Sequence, residues 1–134
     1  MLPLTHRTTY RVTYGDTDQM GVVYYGSYAR LYEIGRTEMI REMGMPYRSL
    51  EQEGIRMPVY SVESRYKGVI RYDELVTIET TVHRLPGARM EFEHRIFNES
   101  GKEVHVARVV LVFLDMKTNR PVRAPEKLLR LLSG

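Results

Sequence analysis

The sequence predicts an α+β fold in which a five-stranded antiparallel sheet wraps around one long helix. The predicted elements run in the order strand, long helix and then four strands, and hairpin-length connections between the later strands indicate antiparallel pairing. There are too few helices to cover both faces of such a sheet, so wrapping it around the helix is the simplest solution. Gly35, in mid-helix, costs about 1 kcal/mol relative to alanine, which indicates that another backbone packs closely there.

The composition indicates one domain, residues 1–134, because no segment has a linker composition and no repeat is evident. The absence of cysteine excludes disulfides, thiolate zinc sites and cysteine nucleophiles. The polar, basic N-terminal segment lacks the apolar run of a signal peptide, and no later segment has the length of a membrane span, so we expect a cytoplasmic protein. A net charge of +3 fits a small anionic ligand as well as it fits nucleic acid.

The first strand and the long helix are separated by a predicted loop. From Thr5 to Tyr14, β-branched and aromatic residues follow a period of two, as in a strand, and residues 15–21 have a turn-forming composition. Ser27 or Gly26 can cap the helix, and its end is expected near Met43, before Gly44. One apolar helix face is predicted from spacings of three and four residues, comprising Tyr28, Leu31, Tyr32, Gly35, Met39 and Met43.

The rest of the chain is predicted to form four strands and two short helices. The strands are residues 57–66, 75–83, 89–97 and 103–114. Residues 47–54 are expected to form a helical turn or two, and Pro125 begins a C-terminal helix. Because residues 109–114 are apolar on both faces, they are expected to form the central, most buried part of the sheet.

Several classes of chemistry are disfavoured by residue spacing. The four histidines lie on separate predicted strands, with no pair spaced as metal ligands on a helix, so no metal site is expected. The sequence contains neither a glycine-rich phosphate loop nor a serine in a strand-turn-helix elbow. Basic residues are dispersed, which argues against nucleic-acid binding. Arg84 and Arg89, on either side of a predicted turn, are the first candidates for ligands of phosphate groups.

Two carboxylates, Asp16 and Asp18, stand shortly before the long helix. The first N–H groups of a helix are unpaired and carry partial positive charge, so they can stabilise an oxyanion, while a neighbouring carboxylate can act as nucleophile or base. Aspartate is also common in turns, and spacing alone favours the interpretation that the pair only shapes this one.

The sequence around Asp16 and Asp18 favours a catalytic role over a purely structural one. Residues 14–28 (YGDTDQMGVVYYGSY) and 31–38 (LYEIGRTE) closely resemble the signature of the 4-hydroxybenzoyl-CoA thioesterase and YbgC-type family, with weaker similarity at 58–60 and 66–75. The resemblance implies a hotdog fold and hydrolysis of an acyl-CoA thioester without a cofactor. Asp18 would be the catalytic carboxylate, Asp16 its structural neighbour, and the backbone N–H of Tyr25 the group that polarises the thioester carbonyl. Gly21, Arg84 and Arg89 are the expected substrate-binding residues.

The resemblance also implies a homodimer or homotetramer with active sites at subunit interfaces, and acyl-CoA as the binding partner. Acyl carrier protein is a second candidate partner. In one departure, many members carry histidine where this chain has Tyr25, so a role for an imidazole there is absent. Because no histidine occupies the loop, a hotdog dehydratase is disfavoured. A non-catalytic acyl-CoA or acyl-carrier-protein binding module remains the alternative. Apolar and aromatic residues near the loop favour a short, medium or aromatic acyl group.

Overall fold

The computed structural model describes residues 2–134 and contains a five-stranded antiparallel sheet curved around one long helix. This confirms the α+β class and the antiparallel pairing. The sheet strands are β1 (Leu4–Arg11), β3 (Val59–Tyr66), β4 (Leu75–Val82), β5 (Arg89–Phe97) and β6 (Glu103–Val112), and their order across the sheet is β1-β4-β5-β6-β3. The helices are α1 (Tyr28–Glu42), α2 (Tyr47–Gln52) and α3 (Glu126–Ser133). Two short strands, β2 (Ile55–Arg56) and β7 (Leu114–Asp115), pair separately.

Helix α1 packs its apolar face on the concave side of the sheet. Leu31, Tyr32 and Met39 are almost completely buried there. At Gly35 a Cβ atom would lie only 2.5 Å from Oγ1 of Thr80, on β4. Close approach of helix and sheet therefore requires glycine at this position, as predicted. The helix ends where expected, with Gly44 in the left-handed region at a φ of 94°.

Four predicted strands are shorter than the sequence pattern suggests, β4 by a single residue at Val82. β1 ends at Arg11, because Tyr14–Asp16 form a turn of 3₁₀ helix. The segment 57–66 is in the sheet only from Val59, which follows Pro58, a residue without an N–H to donate to a ladder. β6 ends at Val112, and residue 113 instead pairs its backbone with residues 88 and 122.

The expectation that residues 109–114 form the centre of the sheet is wrong. β5 is the middle strand, and β6 lies between β5 and the edge strand β3. Val109 and Leu111 are buried beneath the helices, whereas Val110 and Val112 point to the opposite face and are only half-buried. No element of the described chain covers that face. A segment that is apolar on both faces, such as 109–114, therefore need not lie in the central strand of the sheet.

The two edges of the sheet differ in chemistry. β1 alternates half-buried residues with exposed threonine and arginine, including Arg7 and Arg11. β3 instead exposes several apolar and aromatic side chains, namely Val59, Tyr60, Val62 and Tyr66, beside the charged Glu63 and Arg65. An apolar edge strand with free backbone groups is a template for pairing with another strand. Among the described residues, no helix is both long and apolar enough to cross a membrane.

Candidate active site

The loop between β1 and α1 is held to the rest of the fold by backbone hydrogen bonds. The Asp18 N–H donates to the carbonyl of Val22 at 2.9 Å, and Gly21 completes the turn with a φ of 75°. The Val23 N–H donates at 2.7 Å to the carbonyl of Ile70, in the connection between β3 and β4. The loop therefore has a defined shape, and Gly21 has a conformational role that a larger residue would fill only with strain.

Asp16 is buried and its carboxylate is saturated with hydrogen bonds. Its Oδ2 accepts from the Tyr10 hydroxyl at 2.7 Å, from the Thr13 N–H at 2.8 Å and from the Thr13 hydroxyl at 2.9 Å, while Arg30 donates to Oδ1 at 2.8 Å. Burial raises the pKa of Asp16, but the hydrogen bonds from Thr13 and Tyr10 and the charge of Arg30 outweigh it, so that the pKa is lowered overall. Asp16 thus fastens β1 and α1 to the loop.

Asp18 has the opposite environment. Its side chain is exposed, and its Oδ1 accepts a hydrogen bond from the Met20 N–H at 2.8 Å. Oδ2 accepts none from the described residues. One oxygen therefore orients the carboxylate while the other is free to react. The two aspartates, indistinguishable by spacing, differ in what they can do.

The helical segment starts at Tyr25, seven residues beyond Asp18. Residues Tyr25–Ser27 form a 3₁₀ turn that continues into α1, and Ser27 occupies the cap position without a side-chain cap bond. The Tyr25 N–H donates no backbone hydrogen bond to a described residue outside the helix, as is usual for the first donors of a helix. The Tyr24 N–H donates to the carbonyl of Asp16 at 2.9 Å, which ties the helix start to the aspartate loop.

Arg84 and Arg89 lie at a different end of the molecule. Both line a surface depression of about 310 Å³ beside the turn between β4 and β5, and the Arg89 guanidinium carbon stands 4.0 Å from the ring centroid of Tyr60. The register of β1 with β4 pairs Arg11 with Leu75 and Leu4 with Val82. The aspartate loop follows the end of this strand pair at Arg11 and Leu75, whereas Arg84 follows the opposite end at Val82. About eight residues, or roughly 26 Å of strand, therefore separate the two regions within one chain.

A buried cluster of histidine and tyrosine beneath α1 was not predicted. His94 and His105 are fully buried, and both stack on the ring of Tyr32, whose hydroxyl also contacts His105 and Ser64. The spacing of Tyr28 and Tyr32 indicated a core face, but sequence gave no sign that two strands bring histidines to it. No group of side chains in residues 2–134 is arranged to hold a metal ion.

Comparison with known proteins identifies the family. Residues 12–132 match the family model of the thioesterase-like superfamily. The chain is 32% identical to the acyl-CoA thioester hydrolase YbgC of Escherichia coli O6:H1, over 88% of each chain. It is 30% identical to a putative acyl-CoA thioesterase, YneP, of Bacillus subtilis, over 84% of this chain and 81% of the relative.

A solved structure shows the same fold. The DHNA-CoA thioesterase of Staphylococcus aureus superposes with a TM-score of 0.92 at 30% identity, over 96% of this chain and 89% of that one. The chain therefore belongs to the thioesterase-like superfamily, within the YbgC-type acyl-CoA thioesterases of the hotdog fold.

Proposed function

We propose that the protein hydrolyses a short-chain, medium-chain or aromatic acyl-CoA to the free acid and coenzyme A, with Asp18 as nucleophile or general base and the Tyr25 N–H as oxyanion donor. The observation that carries this proposal is the contrast between the two aspartates. Asp16 is fully engaged in structure, whereas Asp18 keeps a free carboxylate oxygen on the loop that leads into the unpaired helix N-terminus.

Two reaction courses use this arrangement. In the first, Asp18 attacks the thioester carbonyl carbon, the carbonyl oxygen becomes an oxyanion near the Tyr25 N–H, and the thiolate of coenzyme A leaves to give a mixed anhydride that water hydrolyses. In the second, Asp18 accepts a proton from a water that attacks the same carbon. Neither course requires a cofactor, because the carboxylate and the donor both come from the protein.

The surroundings of the loop support an apolar or aromatic acyl group. Large apolar and aromatic side chains are exposed on or beside the loop, namely Tyr14, Met20, Tyr24 and Tyr72. Tyr14 and Tyr72 meet edge to face, with ring centroids 6.0 Å apart. Exposed aromatic side chains that lie together beside a loop favour the binding of apolar ligands.

The direct test is release of free thiol from a panel that contains butanoyl-, octanoyl- and benzoyl-CoA, and octanoyl thioesters of acyl carrier protein. Turnover of at least one CoA thioester supports hydrolysis. Saturable binding of these thioesters without thiol release would instead establish the non-catalytic binding module. Faster hydrolysis of the acyl-carrier-protein thioester than of the CoA thioesters would show that acyl carrier protein, and not coenzyme A, carries the acyl group of the substrate.

Tyr25 provides a test of the backbone donor. Pro at position 25 removes the N–H, and the extended conformation of Tyr24, with a ψ of 138°, is the one that a residue before proline adopts. Tyr25→Pro is therefore expected to fold and to lose on the order of a hundredfold in kcat. Tyr25→Ala and Tyr25→Phe keep the N–H and should keep most activity. A comparable loss in Tyr25→Phe would show that the hydroxyl takes part.

We further propose that Arg84 and Arg89 bind the phosphates of coenzyme A, and that a second copy of the chain brings them to Asp18. Within one chain the two regions lie at opposite ends of the strands. On β3, however, Tyr60 contacts Arg89, while Tyr66 lies at the end that leads to Ile70 and the aspartate loop. Antiparallel pairing of β3 with its copy would set the Arg89 end of one chain beside the Asp18 end of the other.

The phosphate role predicts selectivity between substrates. Arg89→Ala is expected to raise KM for an acyl-CoA by about tenfold, because it removes a charged donor to phosphate. The same change should leave hydrolysis of the matching acyl-pantetheine unaffected, since that substrate has no nucleotide phosphates. Steady-state kinetics with both substrates checks this, and equal effects on the two would assign Arg89 to the fold instead.

The pairing of β3 predicts a homodimer, or a tetramer made from such dimers. Val62→Lys places a charge on the exposed apolar edge and is expected to shift the protein to monomer in light scattering at micromolar concentration, with loss of thioesterase activity. Thr9→Lys, on the already polar β1 edge, is the matched control and should leave the assembly intact. A wild-type protein that is monomeric yet active would contradict both the interface and the shared site.

A further inference from the structure

A second cavity lies in the body of the fold, away from the aspartate loop. It has a volume of about 340 Å³ and is bounded by the middle of α1, by α2 and by the segment that carries β2. Arg36, which lines it, stands eight residues after the start of α1, about 12 Å along the helix axis. The volume is within the range of small-molecule binding sites.

Two polar groups of the cavity wall lack hydrogen-bond partners. Arg36 is only 7% exposed, and neither its Nε nor the buried Oη of Tyr47 forms a hydrogen bond of good geometry with a described residue, although Arg36 lies close enough to the Tyr47 hydroxyl to lower its pKa. Arg36 also forms no ion pair with a described carboxylate. Glu33 and Glu51 line the same cavity, but both are solvent-exposed and neither forms an ion pair with Arg36.

Unpaired polar groups at this depth are costly. A buried charge without a counter-charge strongly destabilises a fold, and each buried donor without an acceptor adds to that cost. Such groups persist where something else satisfies them. Burial raises the pKa of Tyr47, assisted by the charge of Glu33, and this outweighs the charge and the hydrogen-bonding contact of Arg36, which lower it, so the phenol stays neutral. The Arg36 guanidinium presents only donors to the cavity, and the neutral Tyr47 hydroxyl adds one further donor while its oxygen can also accept.

We propose that this cavity binds a small organic carboxylate. The carboxylate would accept hydrogen bonds from the Arg36 guanidinium and the Tyr47 hydroxyl, in the geometry that arginine favours for planar anions. The apolar part of the ligand would pack against the remaining wall, formed by Leu50, Ile55, Met57 and Leu111. This cavity is separate from the proposed site of hydrolysis at Asp18, and the two proposals can be tested independently.

The test is calorimetric titration of the full chain with benzoate. Wild type is expected to bind saturably, Arg36→Met to bind at least about tenfold more weakly, and Tyr47→Phe to bind about threefold more weakly. Asp18→Asn should change the affinity by less than about twofold, which separates this cavity from the aspartate loop. Benzamide, which is isosteric but uncharged, should bind weakly and equally to wild type and Arg36→Met.

Several results would overturn the proposal: no saturable binding of benzoate to wild type, equal binding by Arg36→Met, or loss of binding in Asp18→Asn. Folding of the variants is checked by thermal unfolding. Because methionine removes an unpaired charge and keeps most of the side-chain volume, Arg36→Met should not lower the midpoint. A marked drop, or dissociation of the assembly, would show that a protein group pairs with Arg36 and leaves no place for a ligand.

Discussion

Replacement of Asp18 by asparagine is expected to lower kcat by on the order of a hundredfold or more, with little change in KM. Asparagine preserves the shape of the side chain, and its amide oxygen can still accept the hydrogen bond from the Met20 N–H. It cannot attack a carbonyl or accept a proton from water. The measurement is thiol release under saturating acyl-CoA, beside a thermal unfolding curve that should match wild type because the side chain is exposed.

Asp16→Asn is the matched comparison. Its amide would put a donor among the groups that now donate to the carboxylate, from Tyr10, Thr13 and Arg30, so this variant is expected to lose about 2 to 4 kcal/mol of stability. If Asp16→Asn stays folded and loses more turnover than Asp18→Asn, the roles of the pair are reversed. If neither substitution affects thiol release, the loop is only a turn. Single-turnover hydrolysis in oxygen-18 water then distinguishes the courses, because only the anhydride course can leave label in Asp18.

The second large effect concerns acid stability. Burial lowers the pKa of His94 to about 3, with contributions from the charges of Arg36 and His105, and burial lowers that of His105 to about 4. An unfolded histidine titrates near 6.5. The unfolded chain therefore binds more protons than the folded chain between these values. The free energy of unfolding should fall as the pH drops from about 6.5 towards 4, by up to about 1.4 kcal/mol per pH unit for each histidine.

Urea unfolding at fixed protein concentration, between pH 7 and 4, measures this dependence. The His94→Leu variant cannot bind this proton. It should therefore reduce the pH dependence of the free energy of unfolding by the contribution of one histidine, whatever its effect on stability at pH 7. Phe92→Leu, at a buried position of β5 that carries no titratable group, is the control and should leave this pH dependence unchanged whatever its effect on stability at pH 7. A free energy of unfolding that is constant from pH 7 to 5 would contradict the assignment of neutral, buried imidazoles.

Much of this protein follows from local sequence alone. The order of elements, the end of α1 before Gly44 and the close packing at Gly35 depend on periodicity and on the properties of glycine, which act over a few residues. The loop that carries Asp16 and Asp18 was located in the same way. The resemblance of residues 14–28 then indicated the family that the comparisons confirm.

Other features were decided by contacts between residues distant in sequence. The position of β6 beside the β3 edge depends on strand order, which its apolar pattern does not encode. The distinct environments of Asp16 and Asp18 depend on Tyr10 and Arg30, which arrive from a strand and a helix on either side of the loop. Sequence determined where the reactive residue types lie along the chain. Only the tertiary structure decided which carboxylate is saturated and which is free, because hydrogen-bond partners are assigned by packing and not by spacing.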